Sequence, residues 1–372
     1  MKLLEFIGSA RLAIVLVSLL ILLSAAGAML PQEGPVQPAE IAAWRVSHPA
    51  WSFIGGYLGL FKVFHSPLFL AVILLTALNT LTCTILQLFK RKNGEGAIIK
   101  TTGFALLHLS LLVLFAGGFA STAFSLDGYI VLTEGQQFSE RPDHYVRLSK
   151  GPLRTAKHRG FTIKLERCSA EYSPDWRLLQ INAQLRPGLK NQGEAGLHTA
   201  GINHPAEYSG FSFTLDQTGF SPLIRFSKDN RVIFESYIAL KTLQEGHFRE
   251  YRDTIRTPLP GKTIITLYPD HAIAADGVLK KTGEEPGDPV LLVEMADNNG
   301  NVNWHRHVKL GESIELGSYR LGFAGLRRWA SFRVMEDPGY PIILIGLWLG
   351  IAGLVTRYAP DVAGWFTSPG NE

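Results

Sequence analysis

The stretch Thr101–Phe124, TTGFALLHLSLLVLFAGGFASTAF, is long enough to cross a bilayer and carries one ionisable residue, His108. A span needs about 20 apolar residues. Lys90, Arg91, Lys92 and Lys100 precede it. Beyond it the chain turns polar and strand-like until Asp337. This segment therefore joins a membrane hairpin to a large soluble domain. An ionisable group at such depth marks a functional site by default, because its burial in lipid is costly.

Composition follows from this division. The 372 residues are 46% hydrophobic, and four apolar segments hold most of that excess. The net charge of +4 sits largely in short loops beside those segments, where it sets topology; it points to no nucleic acid. Cys83 and Cys168 are the two cysteines, with no CxxC, so neither a thioredoxin-type pair nor a c-type haem attachment site is present. A Cys/His zinc spacing is also missing. No Ser-His-Asp order, catalytic carboxylate pair or phosphate loop stands out.

In chain order, residues 12–30 form the first span. Ser24-Ala25-Ala26-Gly27-Ala28 keeps open the reading of a cleaved signal peptide, but the run is long and ends at Pro31-Gln32. Residues 31–66 are rich in Pro, Gly and Trp. Ile41–His48 and Trp51–Phe64 are expected as short interfacial helices, with Trp44, Trp51 and Tyr57 at headgroup level. Residues 68–89 form the second span. Its Thr76, Thr80, Cys83 and Gln87 share one face, and with Asn79 they make a polar stripe that must meet another helix or a cavity. The basic loop Lys90–Lys100 is expected in the cytoplasm.

Residues 125–338 read as an all-β domain, a sandwich or open barrel, from short β-branched and aromatic runs separated by turn residues. Two hairpins are legible, through Ser227–Asn230 and through Asp297–Asn301 with its Asn299-Gly300 pair. Residues 340–356 form the fourth span. Gly346, Gly350 and Gly353 line one face at a spacing that permits close helix contact, and Trp365-Phe366 suits the membrane surface. The expected architecture is thus a polytopic helical membrane protein of four spans, three plus one, with a large extracytoplasmic β domain. Its parts are 1–124, 125–338 and 339–372.

Several local patterns carry a resemblance. They are Ser9-Ala10-Arg11-Leu12 at the start of the first span and Met29-Leu30-Pro31-Gln32 at its end. Leu58–Pro67 runs into Leu78-Asn79-Thr80-Leu81-Thr82-Cys83-Thr84. Leu107-His108-Leu109 lies in the third span, Ile202–Phe211 (INHPAEYSGF) in the soluble domain, and Glu336-Asp337-Pro338-Gly339 before the last span. In this order they resemble the ResB-like (CcsB-type) proteins of System II cytochrome c biogenesis, over the whole chain.

That resemblance implies a multi-pass protein of the inner membrane with its β domain on the periplasmic side. It implies handling of haem b, moved outward for covalent attachment to the CxxCH thiols of an apocytochrome c. It also implies that a transmembrane histidine ligates the haem iron, and His108 is the residue that matches. No Trp-Trp-Asp run is present, so a ResC/CcsA-type membrane partner is expected. The chain then reads as a non-catalytic or co-catalytic subunit of the synthase, with no catalytic residue of its own.

Other readings stay beside this one. His108 could instead be satisfied by Asn79 or Thr76. His65, beside Pro67, is a candidate second cofactor ligand or an interfacial anchor. His48 reads as structural, and His204-Pro205 as shaping a turn. His305 and His307 share a strand face with no carboxylate or cysteine pattern to complete a metal site. Cys83 and Cys168 read as buried small residues. The rival function is a membrane-tethered β scaffold that binds a protein partner and no cofactor.

Overall fold

The computed structural model describes residues 2–32, 38–57, 59–89, 95–155, 158–188, 196–245, 248–257, 259, 261–273, 279–297 and 301–367. The chain divides into two compact units. One is Met1–Phe124 with Asp337–Glu372; the other is Ser125–Glu336.

The first unit is helical: α1 (Lys2–Ile7), α2 (Ala10–Met29), α3 (Pro38–Ser47), α4 (Pro49–Tyr57), α5 (Pro67–Phe89), α6 (Glu95–Phe124) and α7 (Tyr340–Thr367). Among the described residues, four stretches are long and apolar enough to cross a membrane: Ala10–Met29, Pro67–Phe89, Ile98–Phe124 and Tyr340–Ala359. Local chemistry fixes where they start. The Ser9 hydroxyl accepts the Leu12 N–H and the Ser66 hydroxyl accepts that of Phe69, so each satisfies an orphan donor of a first turn. The expected helix Trp51–Phe64 is split. Helix α4 stops at Tyr57, Gly59 takes a left-handed φ of 67°, and a 3-10 turn follows over Leu60–His65. Glycine takes that conformation without a steric penalty. The basic loop at Lys90-Arg91-Lys92 and the side chains of Trp365 and Phe366 lie outside the described residues.

Helices α6 and α7 pack through small residues. Gly346, Gly350 and Gly353 of α7 lie against Leu114, Ser110 and Leu107 of α6, and a methyl group added at Gly353 would sit 2.7 Å from the Leu107 nitrogen. Asp337 explains its motif. Its carboxylate accepts the N–H groups of Gly339 and Tyr340 and the Ser121 hydroxyl at 2.6 Å, which caps α7 and ties it to α6.

The second unit is a β structure without a closed barrel. Two long antiparallel strands, Phe211–Lys228 and Tyr319–Glu336, form its spine, in register from Lys228↔Tyr319 to Ser212↔Met335. Two lobes share that ribbon. In the first, Leu126–Thr133 pairs with the spine and with Arg147–Lys150. A four-stranded sheet built on Thr162–Tyr172 and Leu178–Gly188 closes a core that includes Phe161, Leu165, Phe213 and Phe332. In the second, five strands from Lys241–Glu245 to Val302–Lys309 enclose Phe220, Ile265, Leu291 and Phe323 with the other end of the spine.

The hairpin at Ser227–Asn230 forms as expected. Lys228 pairs with Arg231, and Asp229 and Asn230 both take positive φ, 49° and 62°, the mirror-image turn that matches strand twist. Strands Val290–Ala296 and Val302–Lys309 pair, though Asn299-Gly300 at their tip lies outside the described residues. One expectation is corrected. The short runs FSFTLDQ and LIRFS, which the sequence reads as two strands separated by turn residues, form one strand continuous across Gly219 and Pro222. Gly219 makes room for the Trp329 indole, whose N–H reaches the Leu240 carbonyl. Pro222 lies opposite Leu326, next to a bulge, a position where a strand tolerates the missing donor.

Candidate functional site

His108 lies on α6, half-buried. Its Nδ1 is 3.0 Å from the Phe104 carbonyl oxygen, and its ring lies 3.9 Å from the Phe104 ring. A carbonyl only accepts, so Nδ1 carries the proton and Nε2 keeps its lone pair. Nε2 has no hydrogen-bond partner among the described residues. An imidazole held through Nδ1–H with a free Nε2 lone pair is the form that ligates iron. At about 100° per residue, His108 sits about 140° around α6 from the row that packs on α7. His108 therefore lies outside the α6–α7 seam. The span begins at Ile98, which puts His108 about 15 Å along it at 1.5 Å per residue.

Neither Asn79 nor Thr76 satisfies His108. The hydroxyls of Thr76, Thr80 and Thr84 donate to the carbonyls of Val72, Thr76 and Thr80. The Asn79 amide donates to the carbonyls of Ile7 and Ser9, where α1 breaks before α2. The threonines and Asn79 of the α5 stripe are thus absorbed by backbone groups, while Gln87 is exposed. Cys83 belongs to the same contact, since a methyl on Gly8 would lie 3.1 Å from its nitrogen. Such pairing is how polar groups persist among apolar helices.

His65 closes the 3-10 turn that leads into α5; its side chain lies outside the described residues. Gln32, which the sequence marks only as the end of a span, holds this turn. Its amide donates to the carbonyls of Leu30 and Leu60 and accepts the Val63 N–H at 3.1 Å. His48 stacks on Trp44 at 4.5 Å, a structural contact.

The β unit takes up most of its other singled-out residues. His204 exchanges backbone hydrogen bonds with Gly201 around Asn203 at φ 56°, so the His204-Pro205 segment shapes a turn. His305 and His307 sit 6.3 Å apart and exposed. Among the described residues no group of three or more His, Cys, Asp or Glu could hold a metal ion. Burial pushes the Cys168 thiol up, the opposite of what a reactive thiolate needs. One cluster escaped the sequence reading. Glu140, fully buried, accepts from His158 Nδ1. The two are 18 residues apart in irregular segments, and no spacing rule connects them.

A family model described as ResB-like matches residues 10–91 and 94–366. The cytochrome c biogenesis protein CcsB of Microcystis aeruginosa is 22% identical over 287 residues, 77% of this chain and 58% of that protein. Its namesake in Synechococcus elongatus is 20% identical over 280 residues, 75% of this chain and 54% of that protein. The namesake in Picosynechococcus is 20% identical over 286 residues, 77% and 55% of the respective chains. The chain thus spans a little over half the length of the curated relatives it matches. With the match running from the first span through the β unit to the last helix, this chain belongs to the ResB-like family.

Proposed function

We propose that this chain is a haem-handling membrane subunit of cytochrome c biogenesis. The observation that carries the reading is the state of His108: Nδ1–H is tied to its own helix and Nε2 is left free inside a span. Family membership supplies the process, through relatives named for cytochrome c biogenesis. In this reading His108 provides one axial bond to the iron of haem b, loaded from the cytoplasmic side. The basic residues Lys90 to Lys100 keep that end of α6 inside. The β unit then faces the periplasm, where it braces a ResC/CcsA-type partner or positions the apocytochrome. His65 is retained as a second ligand candidate.

The thioether bonds join cysteines of the apocytochrome to haem vinyl groups. This chain contributes binding and orientation to that step. The rival scaffold reading would gain if His108 and the α5 stripe satisfied each other; Thr76, Asn79 and Thr80 donate to backbone carbonyls instead.

The test is a visible spectrum of the detergent-purified protein, co-expressed with its partner, for wild type and His108→Ala. The expected result is a Soret band that falls or shifts in the variant and recovers with added imidazole. Haem retained unchanged removes His108 from the site. A stable complex with no haem at all favours the scaffold.

A further inference from the structure

The two lobes of the β unit meet over a cleft of about 470 Å³ on the spine. The first lobe supplies Arg167, from the strand Thr162–Tyr172, and the second supplies Glu285 and Pro286. The spine supplies Phe220, Leu326 and Arg328. Arg328 keeps 10% of its side-chain surface, and its guanidinium lies 4.6 Å from the centre of the Phe220 ring. Among the described residues its carboxylate partner is Glu285, reached through Nη2 at 2.7 Å. Glu285 sits in an irregular segment and keeps 51% of its side-chain surface. A guanidinium presents five donors in a planar fork that two carboxylate oxygens can fill; Glu285 engages one nitrogen. Glu134, the other acid on the wall, is committed to backbone: its oxygens accept the Cys168 N–H at 2.8 Å and the Arg328 N–H at 3.2 Å. Arg167 is exposed and makes no hydrogen bond or ion pair among the described residues.

Two features set the chemistry of an occupant. The first is charge. Glu285 already shows which group Arg328 takes, and it comes from an exposed loop rather than from a packed strand. An incoming carboxylate can therefore replace it and leave Glu285 to water, while Arg167 adds a second cation that has no acid of its own. The second feature is apolar surface. Phe220, Leu326 and Leu310 line the same cleft, and Leu310 is 46% exposed. Apolar walls around a few convergent polar groups are the usual make-up of a ligand site, and such sites favour the junction between two packed bodies. We propose that the cleft between the lobes binds a carboxylate carried on an apolar body. Arg328 and Arg167 hold the charged end, and Leu310 and Leu326 cover the body. An acidic side chain on an extended polypeptide and a free organic acid offer this same chemistry, and the probes below separate them. No residue of α6 takes part, so this site and the His108 site are tested separately.

The experiment is a calorimetric titration of the full chain in detergent with acetyl-Leu-Glu-amide, acetyl-Leu-Gln-amide and glutarate. The Glu peptide is expected to bind saturably, and the neutral Gln peptide at least about tenfold more weakly, the scale of a lost charge-assisted hydrogen bond. Glutarate that matches the Glu peptide assigns the cleft to free organic acids; glutarate that binds far more weakly assigns it to a carboxylate on a polypeptide. Arg167→Ala is expected to lower affinity for the better probe about tenfold, and Arg167→Lys to keep part of it, because a lysine retains the charge but not the fork. Glu285→Gln is expected to tighten binding, since the loop no longer competes for Arg328. Glu315→Gln, which removes an acid paired with Arg320 outside this cleft, is expected to change nothing, so a general effect of surface charge is separated from a site. Circular dichroism of each variant separates loss of the site from loss of the fold. Equal binding of the Glu and Gln peptides, no binding of either carboxylate probe, or affinities that Arg167→Ala and Glu285→Gln leave unchanged would overturn the proposal.

Discussion

Among the described residues, each lobe of the β unit buries one glutamate, and the two are dressed alike. In the first lobe Glu140 holds the Tyr145 hydroxyl, the Gly160 N–H and His158. In the second, Glu284 holds the Tyr251 hydroxyl at 2.6 Å, the Arg249 N–H at 2.7 Å and Lys281 at 2.9 Å. The difference lies in the cation. Lys281 is sealed: its ammonium lies 4.5 Å from the Tyr251 ring, also donates to the Arg249 carbonyl, and keeps 10% of its side-chain surface. His158 has a second nitrogen that reaches the surface. The same buried carboxylate therefore makes a closed knot in one lobe and an open handle in the other.

The largest expected effect tests the closed knot. Glu284→Ala strands an ammonium in a dry site, and breaking such a pair costs about 3–5 kcal/mol; thermal unfolding of the purified chain measures it. Glu140→Ala is expected to cost less, about 1–3 kcal/mol, because the partly exposed His158 side chain can turn to water. Equal losses at the two positions would break the comparison.

A smaller effect appears at high pH. Burial, together with the neighbouring carboxylate, pushes both Tyr145 and Tyr251 up. A raised phenol favours the folded state at any pH below its ordinary value near 10. That contribution is lost as pH rises beyond it, when only the unfolded chain ionises. The unfolding temperature is therefore expected to drop from pH 9 to 11, and less so in Tyr251→Phe and Tyr145→Phe. For Lys281, burial lowers the ammonium despite Glu284. Its sign is opposite, with stability rising through the window below the ordinary lysine value, so Lys281→Met steepens the alkaline loss.

The smallest effect belongs to a histidine outside both knots. Burial, then His305 and His271, pushes His307 down. The folded state resists its protonation, so stability falls as pH drops through the ordinary histidine range near 6.5. His307→Gln is expected to flatten that slope by a few tenths of a kcal/mol, the scale of exposed charges. A larger change would mean that the strand pair carrying it is more closely packed than its exposure indicates.

The membrane unit was far more legible in the sequence than the β unit. Span boundaries follow from the physics of twenty apolar residues, and the glycines of α7 found the contact that their spacing implies. The hairpin at Asp229-Asn230 was legible because positive φ selects few residues. The spine was not. Gly219 and Pro222 read as punctuation, yet one accommodates a tryptophan and the other sits beside a bulge. The strand from Tyr319 likewise runs on to Glu336, past the glycines at 322 and 325. His108 stood out because lipid makes any ionisable group conspicuous. Glu140 and His158 did not, because they meet through loops whose course only tertiary packing decides.

The spine has a consequence for synthesis. Leu126, two residues beyond α6, pairs with Glu336, the last residue of the β unit. The strands of the second lobe are contiguous in the chain and nested between these ends. They can close among themselves while the tail is still emerging. The strand Leu126–Thr133 must wait through roughly two hundred residues for its partner, and such distant pairing is slow and leaves an edge bare meanwhile. The lobe that the ribosome delivers first is the one that finishes last, and α7 follows directly behind the strand that completes it.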